Sequence, residues 1–468
     1  MIQEKIKNYF IEHREEMIRD IQSFIRVEST KSDAQEGMPF GEKTAKMLQV
    51  ADERMSELGF KTTNYENYVL TARNDTLPLK LDILAHLDVV PADPEEWKVT
   101  APFEPIVMDG AIYGRGSADD KGPTVAALYA MKAVKDLNVP LKYGTRLILG
   151  ADEESGSEDI KYFYRYEKPA SMTFTPDADF PIINCEKGGY WSAFNGNFGK
   201  ISNEVSILRF SGGTVGNAIP GNAEAEISGL DLSFVNGICR KSQDETGVTF
   251  CAEKTDAGVR IRAIGKTAHA STPEMGDNAI TALLDALRKL IPESNDGTEA
   301  LLSLSELFPH GVTDGSAAGV ALQDDNGCAL TLALTILSFD GTQINGRIDC
   351  RTPVCATEEN TVRVLKKLFG MRGILLESDE LCPAHYVPEN SELVQKLLEC
   401  FEMYTGNKGV CLTSGGMTYA HQIENAVAFG CMFPDRNNRM HGADEHVAVD
   451  ELVLSAEIFA QAIVKICG

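Results

Sequence analysis

The sequence predicts an α/β domain on a mixed, mostly parallel sheet, interrupted by an inserted α+β region. Three observations predict it. Between Glu4 and Asp179, short apolar runs that end in histidine or carboxylates alternate with amphipathic segments. From about Asn184 to Cys382 that rhythm gives way to alternating strands, turn signals and a few helices. Beyond Cys382 the α/β rhythm returns, so the first domain is expected to be discontinuous: 1–183 with 383–468, around an insert at 184–382.

The composition agrees and excludes several function classes. A chain of 468 residues is too long for one core. Hydrophobic content of 43% and charged content of 24% are those of an ordinary globular protein. No window approaches ~18 uninterrupted apolar residues, so no membrane span is expected. The start, Met1 to Lys7, mixes charges and lacks an apolar h-region, which predicts no secretory signal. Eleven cysteines without CxxC pairs fit reduced thiols in a cytoplasm better than a disulfide framework or a zinc ribbon. The formal charge of −25 disfavours nucleic acid and anionic membranes, which need a basic footprint. It suits cationic small substrates, and equally mere solubility.

Taken in order, Ile6, Phe10, Met17, Ile21 and Phe24 recur at helical spacing and predict a helix over Glu4–Arg26. A second helix starts near Pro39 and stops before Gly59. Strand-like runs follow at Lys61–Ala72 and Leu79–Leu84, the latter leading into Ala85-His86-Leu87-Asp88. A histidine there sits at a strand's carboxyl edge, where open α/β sheets place their sites. Asp88 lies on the same side of the extended chain and could orient the imidazole. An irregular stretch then delivers Gly114-Arg115-Gly116-Ser117-Ala118-Asp119-Asp120-Lys121-Gly122 before a helix expected at Thr124–Leu137. Asp119 could be no more than its N-cap. The strand Thr145–Gly150 runs into Asp152-Glu153-Glu154, and Met172–Thr175 runs into Asp177 and Asp179.

In the insert, Gly258–Lys266 alternates Val259, Ile261 and Ala263 inward, while Thr331–Phe339 and Thr342–Arg351 flank the hairpin signal Asp340-Gly341. Helices are predicted at Asp277–Leu290 and Glu358–Phe369. The last part reads as a helix Ser391–Tyr404 stopped by Gly406, a strand Gly409–Thr413 and a glycine turn Ser414-Gly415-Gly416 with a short helix after it. A strand Ala426–Phe433, a loop Pro434–Asp444 carrying His441 and a closing helix Val449–Ile466 complete the chain.

Three successive strand ends that finish in histidine or carboxylates suggest one acidic crevice at a sheet edge. The candidates are His86, Asp119, Glu153, Glu154, Asp177 and His441. Five mixed N/O ligands with one shared carboxylate are what two divalent ions about 3.5 Å apart require. The lack of thiolates points to hydrolytic zinc, manganese or cobalt chemistry rather than structural zinc. Of the adjacent acids Glu153 and Glu154, one can ligate an ion while the other takes a proton from water.

The ordered set H-L-D-V-V-P, G-R-G-x-x-D-D-K-G, D-E-E-S-G, P-D-A-D-F-P, G-x-x-A-H-A-S-x-P and M-H-x-x-x-E resembles the di-metal aminoacylase, glutamate carboxypeptidase and succinyl-diaminopimelate desuccinylase family of metallopeptidases. Chain length and the large insert resemble its peptidase V-type dipeptidases in particular. The resemblance implies a catalytic domain closed by a lid, the insert at 184–382. It implies that His86 and Asp177 bind one ion and Glu154 and His441 the other, with Asp119 bridging and Asp120 a structural neighbour. Zinc is the first expectation for both ions, with manganese or cobalt open. Glu153 is expected as general base toward a water between the ions, with Asp88 supporting His86. From the lid, His269 is expected at the oxyanion, Arg351 at the substrate's terminal carboxylate and Asn217 at the scissile group.

One stretch departs from the family pattern. Gly415-Gly416-Met417-Thr418-Tyr419-Ala420-His421 stands where the dipeptidases tend to read G-G-G-T-Y-A-R. This loop, with Gly416, is expected to line the pocket for the substrate's C-terminal end, so the departure leaves side-chain preference open. The implied function is metal-dependent hydrolysis of dipeptides with a free amino terminus, by a cytoplasmic monomer whose enlarged lid replaces a dimer partner. The alternatives are a deacylase of N-acyl or N-succinyl amino acids and a non-enzymatic peptide- or metal-binding relative. Intact ligands and Glu153 speak against the last. His13, His310, His385 and His446 have no motif behind them and are expected at the surface.

Overall fold

In the computed structural model, the spaced apolar residues of the first segment form a helix over Ile2–Ile25 that buries Ile6, Phe10, Met17, Ile21 and Phe24. The structure describes residues 2–199, 204–292, 294, 296–325, 327–434 and 436–468, so Asp435 of the His441 loop lies outside the described residues. Contacts divide the chain into two units, Met1–Glu186 with His385–Gly468, and Lys187–Ala384. Among the described residues, no helix is long and apolar enough to cross a membrane.

The first unit is built on a mixed sheet whose centre is parallel. Gly144–Gly150, Leu79–His86, Met172–Thr175 and Ala426–Ala428 lie side by side in that order, each pair parallel. Their residues Leu81, Ile83, Leu147, Leu149 and Phe174 are buried in one core with the helices Ile2–Ile25, Lys121–Asp136 and Val449–Cys467. Near-continuous burial is why these strands read as short apolar runs without alternation.

Two stretches differ from expectation. The run Lys61–Ala72 is a hairpin, Lys61–Tyr65 against Val69–Arg73, because Glu66 and Asn67 take φ of 51° and 59° and turn the chain. The run Ala426–Phe433 breaks into Ala426–Ala428 and Cys431–Met432, the second strand pairing with Ala178–Asp179 instead of continuing in the sheet. Gly430, at φ 78°, makes the bend: a Cβ there would lie 2.3 Å from the Phe180 ring.

The second unit carries an eight-stranded antiparallel sheet, from Thr249–Lys254 at one edge to Leu375–Leu376 at the other. The hairpin Thr331–Phe339 with Gln343–Thr352 lies inside it. In Val259–Ile264 the residues Val259, Ile261 and Ala263 are buried, toward the helix Ala279–Leu290. A helix not anticipated, Leu232–Thr246, is capped by the Asp231 side chain and ends at Gly247 in the left-handed conformation.

Candidate metal centre

Parallel pairing brings the first candidate ligands together. His86 is the last residue of its strand and lies opposite Gly150, the last residue of the neighbouring strand. The chain beyond Gly150 therefore turns beside His86, and that turn, Glu153–Ser155, carries Glu153 and Glu154. Asp177 follows the next parallel strand by two residues. Asp119 lies just before the helix Lys121–Asp136, so Asp120 and not Asp119 takes the cap position. His441 arrives on the loop before Val449–Cys467, with its backbone at φ 61°.

Asp119 is the common member. Its Oδ1 lies 2.9 Å from His86 Nε2 and its Oδ2 lies 2.8 Å from His441 Nε2. Asp177 Oδ2 is 3.6 Å from His86 Nε2, and Glu154 Oε2 is 3.3 Å from His441 Nε2. Two triads result, each with ligand atoms within 4.8 Å of one another: His86, Glu153 and Asp177, and Asp119, Glu154 and His441.

Buried carboxylates hold this arrangement from behind. Asp88 accepts the backbone N–H of Glu153 at 3.2 Å and of Glu154 at 3.1 Å. Its own carbonyl lies 3.1 Å from His86 Nδ1, and its carboxylate 3.4 Å. Asp88 thus steadies the imidazole and, beyond the expectation, the glutamate pair. Asp120 accepts the His86 N–H at 3.1 Å. Asp159 accepts the N–H of Ala151 and Asp152 at 2.6 and 2.9 Å, and Glu445 accepts those of Gly116, Ala118 and Asp119. Asp159 escaped the sequence reading. Glu445 closes the M-H-x-x-x-E motif, yet the motif alone suggests no role for it.

The electrostatics follow from crowding. Burial and the neighbouring Asp119 push the Asp177 carboxyl up to about 7. Glu153 is pushed well above the ordinary carboxylate range, chiefly by burial. Contacts with Asp119 and Glu154 raise His441 to about 10. Burial opposes protonation of His86, but Asp119, Asp177 and Asp88 outweigh it and raise the group. Four carboxyl groups in so small a space call for added positive charge. Glu154 Oε1 is buried with no hydrogen-bond partner. An all-N/O donor set, one carboxylate offering an oxygen to each side and an unsatisfied buried oxygen fit two divalent cations.

In the second unit, His269 and Asn217 are neighbours. His269 pairs with Ala218 across a short two-stranded ladder, and the Asn217 carbonyl accepts the Ala270 N–H at 2.9 Å. Both residues are exposed. The His269 Nδ1 accepts the Ser271 N–H at 3.2 Å, which in the neutral ring leaves the proton on Nε2. Arg351 is buried, gripped by both oxygens of Asp349 at 2.8 and 3.0 Å and lying 5.0 Å from the Trp191 ring centre.

In the first unit, the Gly416 N–H donates to Ser414 Oγ at 2.9 Å. Thr418 bonds to buried Glu186 through its N–H and hydroxyl, and His421 Nδ1 lies 3.3 Å from the same carboxylate. The four histidines without a motif are half-buried and bonded, His385 for example to the Ala426 carbonyl at 2.7 Å.

Comparison with known proteins adds an independent line. Residues 83–465 match the family described as Peptidase family M20/M25/M40. A relative from Bacillus subtilis (strain 168), named "Putative dipeptidase YtjP", is 32% identical over 470 residues, covering 97% of this chain and 98% of its own. A similarly named Staphylococcus haemolyticus protein is 30% identical, covering 100% of this chain and 99% of its own. Among solved structures, human carnosine dipeptidase 1 shares the fold with a TM-score of 0.57 at 15% identity, over 100% of this chain and 99% of that one.

Proposed function

The chain belongs to peptidase family M20/M25/M40 and is a metallopeptidase, and from that premise we propose that it hydrolyses dipeptides with a free amino terminus. The observation that carries the reading is the Asp119 carboxylate, one oxygen toward His86 and the other toward His441, with Glu153 beside it. Full-length similarity to relatives named as dipeptidases supports the substrate class.

His86 and Asp177 would hold one divalent ion, Glu154 and His441 the other, and Asp119 both. Such a pair, when bound, supplies Lewis acidity and makes water a competent nucleophile near neutral pH. Zinc is the first candidate, and manganese or cobalt would suit the same ligands. Glu153, raised by burial, can take the proton of the attacking water and return it to the leaving amine nitrogen. His269, with its proton on Nε2, is proposed as donor to the oxyanion, a role worth about 3 kcal/mol of barrier. Arg351, oriented by Asp349 and Trp191, is proposed for the terminal carboxylate, Asn217 for the scissile group, and the loop of Gly416 for the substrate's C-terminal side. The reading includes a cytoplasmic monomer.

Incubating the protein with zinc or manganese and a panel of dipeptides, beside N-acetyl and N-succinyl amino acids, tests it. Turnover of dipeptides is expected. Turnover confined to the acylated compounds would make the protein a deacylase instead.

A further inference from the structure

Glu445 takes no part in the chemistry above, yet it is completely buried beneath the centre. Its Oε1 accepts three backbone N–H groups from one loop: Gly116 at 3.0 Å, Ala118 at 2.9 Å and Asp119 at 3.3 Å. Its backbone carbonyl accepts a fourth, from Gly114, at 3.0 Å. Its Oε2 pairs with Arg115 Nη1 at 2.5 Å, and Arg115 Nη2 reaches across to the His441 carbonyl at 3.3 Å. Arg115 is itself buried and lies 5.6 Å from the Trp97 ring centre.

The two ligand triads are anchored unequally. His86 ends a central strand, paired with Gly150 and its N–H held by Asp120, and Asp177 stands between Thr175 and Ala178, which pair with Ala428 and Cys431, so sheet ladders hold the backbone on or around both. His441 has no such ladder. It lies in a loop where Arg439, His441 and Asp444 all take positive φ, at 55°, 61° and 58°. Non-glycine residues hold that conformation only when their surroundings impose it. The Arg115–Glu445 pair supplies one such constraint and connects it to the backbone of Asp119.

We propose that Glu445 and Arg115 are positioning residues that set His441 against Asp119, and so govern chiefly the ion held by Asp119, Glu154 and His441. The inference rests on the two-ion reading of the centre. Charge and shape both matter in this role. The guanidinium fork reaches two acceptors in different directions, which a lysine ammonium cannot reproduce at the same spacing.

Titration of metal-free protein with cobalt(II), followed by visible absorption and calorimetry, counts the sites and separates their affinities. His441→Ala identifies which site is the loop-bound one. Arg115→Lys and Glu445→Gln are each expected to weaken that site by about 10- to 100-fold, and the other by at least about tenfold less, in the manner of outer partners of metal ligands. The thermal midpoint of each metal-free variant controls for folding, and Arg115→Lys, which keeps the buried charge, serves if Glu445→Gln does not fold. Equal weakening of both sites, or none, overturns the proposal. A wild-type protein that takes up fewer than two ions overturns the two-ion reading itself and this proposal with it.

Discussion

The hydroxyl of Tyr419 donates a hydrogen bond to Oδ2 of Asp159, two buried residues 260 positions apart in the chain. The same carboxylate holds the Ala151 and Asp152 N–H groups, so the contact ties the loop 415–421 to the turn bearing Glu153 and Glu154. Gly150 makes room for it: a Cβ there would lie 1.9 Å from the Tyr419 oxygen. A change in the proposed substrate loop therefore has a direct physical route to the proposed base.

Tyr419→Phe should expose that route. Loss of one donor to a buried carboxylate costs about 1–3 kcal/mol of stability. Asp159, already pushed up to about 7 by burial, should rise further. Denaturant unfolding is expected to show the stability loss, and steady-state kinetics a fall in kcat larger than any rise in KM. Wild-type stability and kcat together would sink the coupling.

Glu153→Gln separates a base from a ligand, because Glu153 also lies within the triad of His86 and Asp177. As a general base its loss should lower kcat by about 10²–10⁴-fold. Metal content, measured by elemental analysis, should remain at two ions per chain. Loss of one ion together with activity would make Glu153 a ligand.

Metal uptake should release protons. Without cations, His441 is raised to about 10 by Asp119 and Glu154, so at neutral pH its ring is protonated and must lose that proton to ligate, and His86 is raised as well by Asp119, Asp177 and Asp88. Asp177, at about 7, adds a partly protonated carboxyl. Affinity should therefore increase as pH rises from 6 toward 8, by at least about tenfold per unit. Calorimetry in two buffers of different ionisation enthalpy counts the protons. A pH-independent affinity contradicts the assignment.

His269→Ala tests the second unit's part. A lost oxyanion donor should reduce kcat by about 10²–10³-fold. Because His269 belongs to Lys187–Ala384 and the proposed ligands to the other unit, cobalt binding by the variant should match the wild type. Unchanged kcat would remove His269 from the mechanism.

Much of the centre was legible because it lies at element ends. Buried strands show as short apolar runs, and the polar residues that stop them, His86, Glu153 with Glu154, and Asp177, occupy the carboxyl edge by construction. The hairpin at Lys61–Arg73 and the break at Gly430 were not legible. Each depends on backbone conformation at one or two residues, which an apolar pattern does not report. The supports were hidden for another reason. Asp159 and Glu445 act by accepting backbone N–H groups, and any acid in any loop could do that.

By itself the sequence determined the alternation of buried strands and helices, the kind of side chain most of them present, and the family resemblance its motifs carry. Periodicity and residue type are local, and local burial suffices to impose them. Only the tertiary structure decided at what spacing these side chains meet and which buried groups hold their backbones. Asp119 meets His441 from 322 residues away, while Asp159 and Glu445 accept backbone N–H groups of the loops that carry the candidate ligands. Those choices depend on strand register and on loops anchored by distant partners, where a shift of one residue would turn a ligand away.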